Sequence, residues 1–222
     1  MELTVLGAGA MGTLYAARLA LVGHRVAIVA RGARRAAIEA EGLRIRPRRS
    51  GSAVTARVAV APSLAAAPPG DLVLVMVRRQ DLDGLLPELA AHGGDVVTMV
   101  NVASGYEPLR RALGARFFAG FPGATARFEA DGTLAYELAP RLLQPTVLGE
   151  AGGPPTPRVR ALAAALRSGA LSVSRSLRAH LLATGEASAS EGLALADELL
   201  RGARRPLPGL EALCGAARPR SP

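Results

Sequence analysis

Lysine and tryptophan are absent from this chain, cysteine occurs once, and aromatic residues make up 3% of it. Without lysine, no side chain can offer an ammonium proton. The lone Cys214 cannot close an intrachain disulfide, which excludes a secreted disulfide scaffold. No His/Cys cluster has metal-ligand spacing, so no metal site is expected. With aromatics scarce, the core has to be aliphatic and alanine-rich, and the 50% hydrophobic content is enough to build one. No stretch is long and uncharged enough to span a bilayer. The apolar start from Leu3 to Val22 is broken by glycines and Arg18 and lacks the basic head of a signal peptide. The expectation is a cytoplasmic protein with no membrane partner.

The 222 residues suffice for one full domain and part of a second. The formal charge is +9, and all 27 basic residues are arginine. They are scattered, in a composition dominated by Ala, Gly, Arg and Pro that looks like a GC-rich coding bias. No aromatic residues interleave with them as a stacking platform would require. A nucleic-acid partner is therefore not expected, although local arginine groups can bind phosphate.

Along the chain, strand and helix patterns alternate. Leu3 to Leu6 reads as a buried strand, Ala10 to Val22 as a helix closed by Gly23, and Arg25 to Ala30 as a second strand. A short helix over 33–41 leads to two strand-like pieces within 43–60, forming a hairpin around Arg48-Arg49-Ser50-Gly51. Asp71 to Val77 is the most apolar strand. A helix over Leu82 to Ala91, a strand over Asp95 to Val100 ending at Asn101, a helix near 106–113 and a strand near 115–120 follow. This order predicts an α/β fold of the Rossmann type, a doubly wound and mostly parallel sheet. Residues 124–149 read as an antiparallel extension, Pro157 to Ser168 as a helix and Leu171 to Val173 as a short strand. Residues 176–201 look helical, and the tail from 202 to 222 is read as poorly ordered. The expected domains are 1–170, the Rossmann domain, and 171–222, a short incomplete helical C-terminal segment with that tail.

Gly7-Ala8-Gly9-Ala10-Met11-Gly12 follows the first strand and opens the first helix. In that setting Gly7 permits a tight turn, Gly9 lets a pyrophosphate approach the backbone, and Gly12 allows close helix–strand packing. The helix start offers free N–H groups to the phosphates. NAD sites usually carry an acid at the end of the second strand. Arg31 stands there, with Arg34 and Arg35 behind it. A guanidinium pairs with a 2′-phosphate that a carboxylate would repel, so NADP(H) is the expected cofactor. No G-x-S-x-G elbow and no P-loop lysine is present.

These segments resemble the ketopantoate reductase (2-dehydropantoate 2-reductase) family. The resemblance is carried by Leu3 to Gly12, Gly23-His24-Arg25-Val26, Arg31, Asp71 to Val77 and the strand ending at Asn101. It covers roughly the first 150 residues. It implies NADPH-dependent reduction of a 2-keto acid to a 2-hydroxy acid in pantothenate biosynthesis. It also implies a Rossmann domain, a helical C-terminal domain and a cleft between them. Residue by residue, it implies that Arg31 holds the 2′-phosphate, that Asn101 touches cofactor and substrate, and that Ala126 is a cofactor-contacting backbone position.

The sequence departs from the family at several positions. Arg78 stands where the family usually has a lysine after the third parallel strand, and could still hold a carboxylate or phosphate. Val102, not glycine, follows Asn101. The family's catalytic lysine falls on Thr184 or Leu182, and its substrate-binding asparagine on Ser188. His180 is the candidate proton donor, with Glu186 and Glu191 on the same predicted helix. The family's later helices have no counterpart. Two readings stay open: a reductase with weakened chemistry, or a non-catalytic NADP(H)-binding relative. A third is a truncated product whose C-terminal helix exposes an apolar stripe, through which a homodimer could form.

Overall fold

The computed structural model describes residues 1–49, 51–100, 106–138, 145–150 and 155–174. Among them the chain runs β1 Glu2–Leu6, α1 Ala10–Leu21, β2 Arg25–Val29, α2 Gly32–Glu41, β3 Leu43–Pro47, β4 Val54–Ala56 and β5 Ala59–Ala61. It continues as β6 Leu72–Val75, α3 Arg79–Leu82, α4 Leu86–Ala91, β7 Asp95–Thr98, α5 Glu107–Leu113 and β8 Phe117–Phe121. The last elements are β9 Ala124–Phe128, β10 Leu134–Leu138, β11 Thr146–Gly149, α6 Pro157–Ser168 and β12 Val173–Ser174.

Eight strands form one sheet in the order β12-β11-β8-β7-β6-β1-β2-β5. Its core, from β8 to β5, is parallel throughout, and β11 returns antiparallel to β8. Strand order reverses about β1, with β2 on one side and β6 on the other. A doubly wound sheet opens its ligand crevice at such a reversal, beyond the carboxyl ends of the strands. The sequence expectation of a Rossmann-type, mostly parallel sheet is met.

The antiparallel expectation for 124–149 divides in two. β11 does extend the large sheet, but β9 and β10 join the β3–β4 hairpin in a separate four-stranded sheet, β4-β3-β10-β9. This small sheet packs over α1. α1 is thereby enclosed between two sheets, and Leu14, Tyr15, Ala16, Ala17 and Leu19 are all fully buried. A helix covered on both sides needs apolar residues all round, which explains a run of alanine and leucine with little polar face. The same core takes in Val5, Ile28, Leu74, Val97 and, from α6, Leu162 and Leu166.

Two smaller elements differ from expectation. Residues 43–60 hold a third strand, β5, which leaves the hairpin and edges the large sheet beside β2. The single helix expected over Leu82 to Ala91 is divided: α3 passes into a 3₁₀ turn at Asp83–Leu85 before α4 begins. Gly84 weakens helix at that point, and Pro87 sits in the first turn of α4, where its missing N–H costs nothing.

Candidate functional site

In the parallel register, Leu6 lies opposite both Val29 and Val75. The segments after β1, β2 and β6 therefore emerge together at one edge of the sheet, and they carry Gly7, Arg31 and Arg78. A cavity of about 600 Å³ opens there, lined by Gly7, Ala8, Ala30, Arg31, Arg34 and residues of the α3–α4 segment, including Gln80 and Asp81.

The glycines that lead into α1 play different parts. Gly7 has φ +114, and a Cβ there would stand 2.6 Å from the Met76 carbonyl oxygen. A Cβ on Gly12 would overlap the Gly7 carbonyl. Both are demanded by the fold: the loop is pressed against β6 and the helix against the loop. Gly9 has φ −70 and ψ −173, a conformation open to any residue, and a Cβ there would meet nothing within 4 Å. Gly9 leaves open space at the head of a 12-residue helix, and its carbonyl accepts the Thr13 N–H at 2.9 Å. The N–H groups that begin such a helix have no partner within it and present positive charge to an anion. Ala10 and Met11 are half-buried against the core behind the loop.

A second anion-attracting end lies beside it. Arg31 is the N-cap of α2, no side chain caps that helix, and its first turn contains no acid. Cations at the positive end of a helix are unfavourable by roughly 0.3–1 kcal/mol each. Three arginines gather there, and the structure separates them. Arg35 pairs with Glu39 at 2.8 Å along the helix surface. Arg34 is half-buried; it donates to the Ala8 carbonyl at 3.3 Å and to Thr13 Oγ1 at 3.0 Å, and stacks on the Phe128 ring. Burial pulls its pKa below the usual arginine value, but arginine stays charged in proteins. Arg31 is exposed, lines the cavity and forms no ion pair among the described residues.

Arg78 is exposed at the N-cap of α3, on the same edge. Ala126 lies on β9, paired with Tyr136 and packed against the core around α1; it does not line the cavity. Asn101, His180, Thr184, Leu182 and Ser188 lie outside the described residues. His24 and His92 precede β2 and β7, so both sit at the opposite, amino-terminal edge of the sheet. Burial lowers the pKa of each, helped by the N-terminal amine at His24 and by Arg116 at His92. Among the described residues no group of three or more His, Cys, Asp or Glu could hold a metal ion, and no helix is long and apolar enough to cross a membrane.

Sequence reasoning grouped Arg34 with Arg31 and left Thr13, Phe128, Gln80 and Asp81 without a role. Arg34 carried a signal: it occupies the first helical turn, where an acid is favoured. Two adjacent helix starts, one beside a guanidinium with no ion pair among the described residues, can hold a ligand with two separate anionic groups.

Residues 3–151 match the family described as ketopantoate reductase PanE/ApbA. A 2-dehydropantoate 2-reductase of Mesorhizobium japonicum is 36% identical over 107 residues, 47% of this chain and 32% of that protein. The match thus spans about a third of that relative's length. The fold is shared with the crystal structure of 2-dehydropantoate 2-reductase from Methylococcus capsulatus, at TM-score 0.70 and 21% identity, covering 98% of this chain and 79% of that one. It is also shared with D-mandelate dehydrogenase in its ternary structure with NADH and anilino(oxo)acetate, at TM-score 0.67 and 20% identity, covering 79% of this chain and 57% of that one.

Proposed function

The chain belongs to the ketopantoate reductase family, and from that premise we propose that it binds NADP(H) at the carboxyl edge of the large sheet, for the reduction of a 2-keto acid to a 2-hydroxy acid. The observation that carries this reading is the pairing of Gly9 with Arg31 on that edge. Gly9 keeps a space that no described residue fills, at the head of α1, where a pyrophosphate fits. Arg31, which forms no ion pair among the described residues, stands at the head of α2, one strand away, where a 2′-phosphate fits. The bound cofactor supplies hydride to the substrate carbonyl. Gly7 and Gly12 hold the loop that receives it, and Arg78 offers a further cation on that edge. Asn101 and Ala126 as cofactor contacts, Asn101 and Ser188 as substrate contacts, and the division into domains at 1–170 and 171–222 belong to the same proposal, as do a cytoplasmic location and a homodimer through the C-terminal helix.

A second reading, a non-catalytic NADP(H)-binding relative, is favoured by one observation: the chain has no lysine. Both readings share the cofactor site. Its test is titration of NADPH and NADH by fluorescence. NADPH should bind at least several-fold tighter, and Arg31→Ala should remove most of that preference while leaving NADH nearly unchanged. Equal affinity of the wild type for both, or tighter binding of NADH, sinks the 2′-phosphate assignment.

A further inference from the structure

The Ala8 carbonyl oxygen receives two side-chain donors. Thr13 Oγ1 donates to it at 3.3 Å from α1, and Arg34 Nε donates to it at 3.3 Å from α2. Arg34 Nη2 also donates to Thr13 Oγ1 at 3.0 Å, closing a triangle. On its other side the guanidinium lies 4.4 Å from the centre of the Phe128 ring, at the end of β9. One side chain thus ties together the glycine loop, α1, α2 and the second sheet.

We propose that Arg34 is a positioning residue for the dinucleotide: it holds the Ala8–Gly9 peptide in the orientation that presents the loop to the pyrophosphate. The proposal rests on the cofactor reading above. All described peptide bonds are trans, and in a trans peptide the N–H points opposite to the C=O. Drawing the Ala8 carbonyl toward Thr13 and Arg34 therefore turns the Gly9 N–H away from them. Gly9 lacks a side chain and has open space where a Cβ would lie among the described residues, so it adds no side-chain restraint of its own to that plane, and the held Ala8 carbonyl supplies one. Holding it in advance spares the cofactor the cost of ordering the loop.

The clamp also accounts for the position of Arg34. A half-buried cation at the positive end of a helix is doubly unfavourable. Two charge-assisted hydrogen bonds and an aromatic face offset that cost. Lysine could not replace it, because a single nitrogen cannot reproduce the planar fork that spans Ala8 O and Thr13 Oγ1.

The test is fluorescence titration of NADPH and NADH on the full chain, for the wild type, Arg34→Met, Arg34→Lys, Thr13→Val and the Arg34→Met/Thr13→Val double variant. Arg34→Met should weaken both cofactors by about tenfold, the usual worth of a hydrogen bond to a charged group, and leave their ratio unchanged. Arg34→Lys should rescue little. Thr13→Val, which keeps the shape and removes only the hydroxyl, should weaken both cofactors, and it carries the test alone if Arg34→Met does not fold. The double variant should bind no worse than Arg34→Met, because the two groups act as one unit. Loss of NADPH affinity alone would make Arg34 a direct phosphate ligand and overturn the proposal. So would a lowered melting temperature with both affinities intact. A wild type that binds neither dinucleotide overturns the cofactor reading itself, whereas wild type and Arg34→Met binding equally well overturn the clamp alone.

Discussion

Three glycines of one motif answer to different forces. Gly7 and Gly12 are fixed by the protein: one has positive φ with Met76 against it, the other has the Gly7 carbonyl where a side chain would begin. Gly9 is in an ordinary conformation with nothing near it. Beyond its place as the N-cap of α1, nothing the protein packs there calls for a glycine among the described residues. Substitution separates the two cases. Gly12→Ala should destabilise the fold by on the order of 3–5 kcal/mol, because the overlap is with backbone that cannot move aside. Gly9→Val should cost only about 1 kcal/mol, for a poorer N-cap, yet abolish NADPH binding by filling the pyrophosphate's approach. Thermal unfolding read beside NADPH titration decides it. A folded Gly9→Val that binds NADPH normally removes the loop from the site. The arginines divide in the same way: Arg35 pairs along the helix surface, Arg34 bonds the loop, and Arg31 forms no ion pair among the described residues.

At the level of elements, α1 is the piece on which the rest is assembled, and its buried polar contacts show how. Tyr15 and Thr146 share a 2.6 Å hydrogen bond between their hydroxyls, and the Gly123 N–H reaches each at 3.2 Å. This joins α1 to β11 and to the turn between β8 and β9. Burial pushes the Tyr15 hydroxyl up to about 12 from an ordinary 10.0. The folded pKa is raised, so the group's stabilisation is complete below pH 10 and is lost as pH climbs through about 12. Tyr15→Phe should cost about 1–2 kcal/mol at neutral pH and flatten the alkaline fall in stability over that window. Denaturant unfolding from pH 8 upward, in both proteins, measures it; an unchanged alkaline limb in the variant would rule Tyr15 out as its cause. These long-range links also mark what could be read in advance. The parallel layer was legible because each strand–turn–helix unit announces itself locally, through apolar runs, Gly7 and Gly23. The second sheet was not, because β3 finds β10 in parallel across nearly ninety positions of chain, and the local pattern of a strand does not reveal which sheet it will join. β5, only Ala-Val-Ala, carries too little pattern to stand apart from the hairpin. Arg31 was legible from its place after a strand, whereas the work of Arg34 depends on Ala8, Thr13 and Phe128, which only the fold brings together.

For the whole molecule, the lysine-free composition governs both charge and chemistry. Among the described residues, several arginines are engaged in structure, as the forked arginine group allows. Arg158 bonds Glu150 and Asp95 and lies over Phe118, Arg116 reaches the carbonyls of Ala90, His92 and Gly94, and Arg18 joins Gly169 to Tyr136. Guanidinium can build a protein and hold phosphate, but it cannot readily give up a proton. As hydride reaches a keto carbon, negative charge grows on its oxygen, and a donor must meet it with a proton or a strong hydrogen bond. The family resemblance puts Thr184 or Leu182 at the lysine position, and neither is an acid of useful strength. Positioning a carbonyl against the nicotinamide still lowers the barrier by itself. Absence of the general acid should cost on the order of 10²–10⁴ in rate. The expected outcome is NADPH binding with very slow or undetectable reduction of ketopantoate at neutral pH, followed as loss of NADPH absorbance with ketopantoate and a panel of 2-keto acids. Turnover at ordinary enzyme rates, roughly 1–10³ per second, would contradict it and require another donor. His180 would then be the residue to replace: His180→Ala should abolish the turnover, and an unchanged rate in the variant would exclude it as the donor.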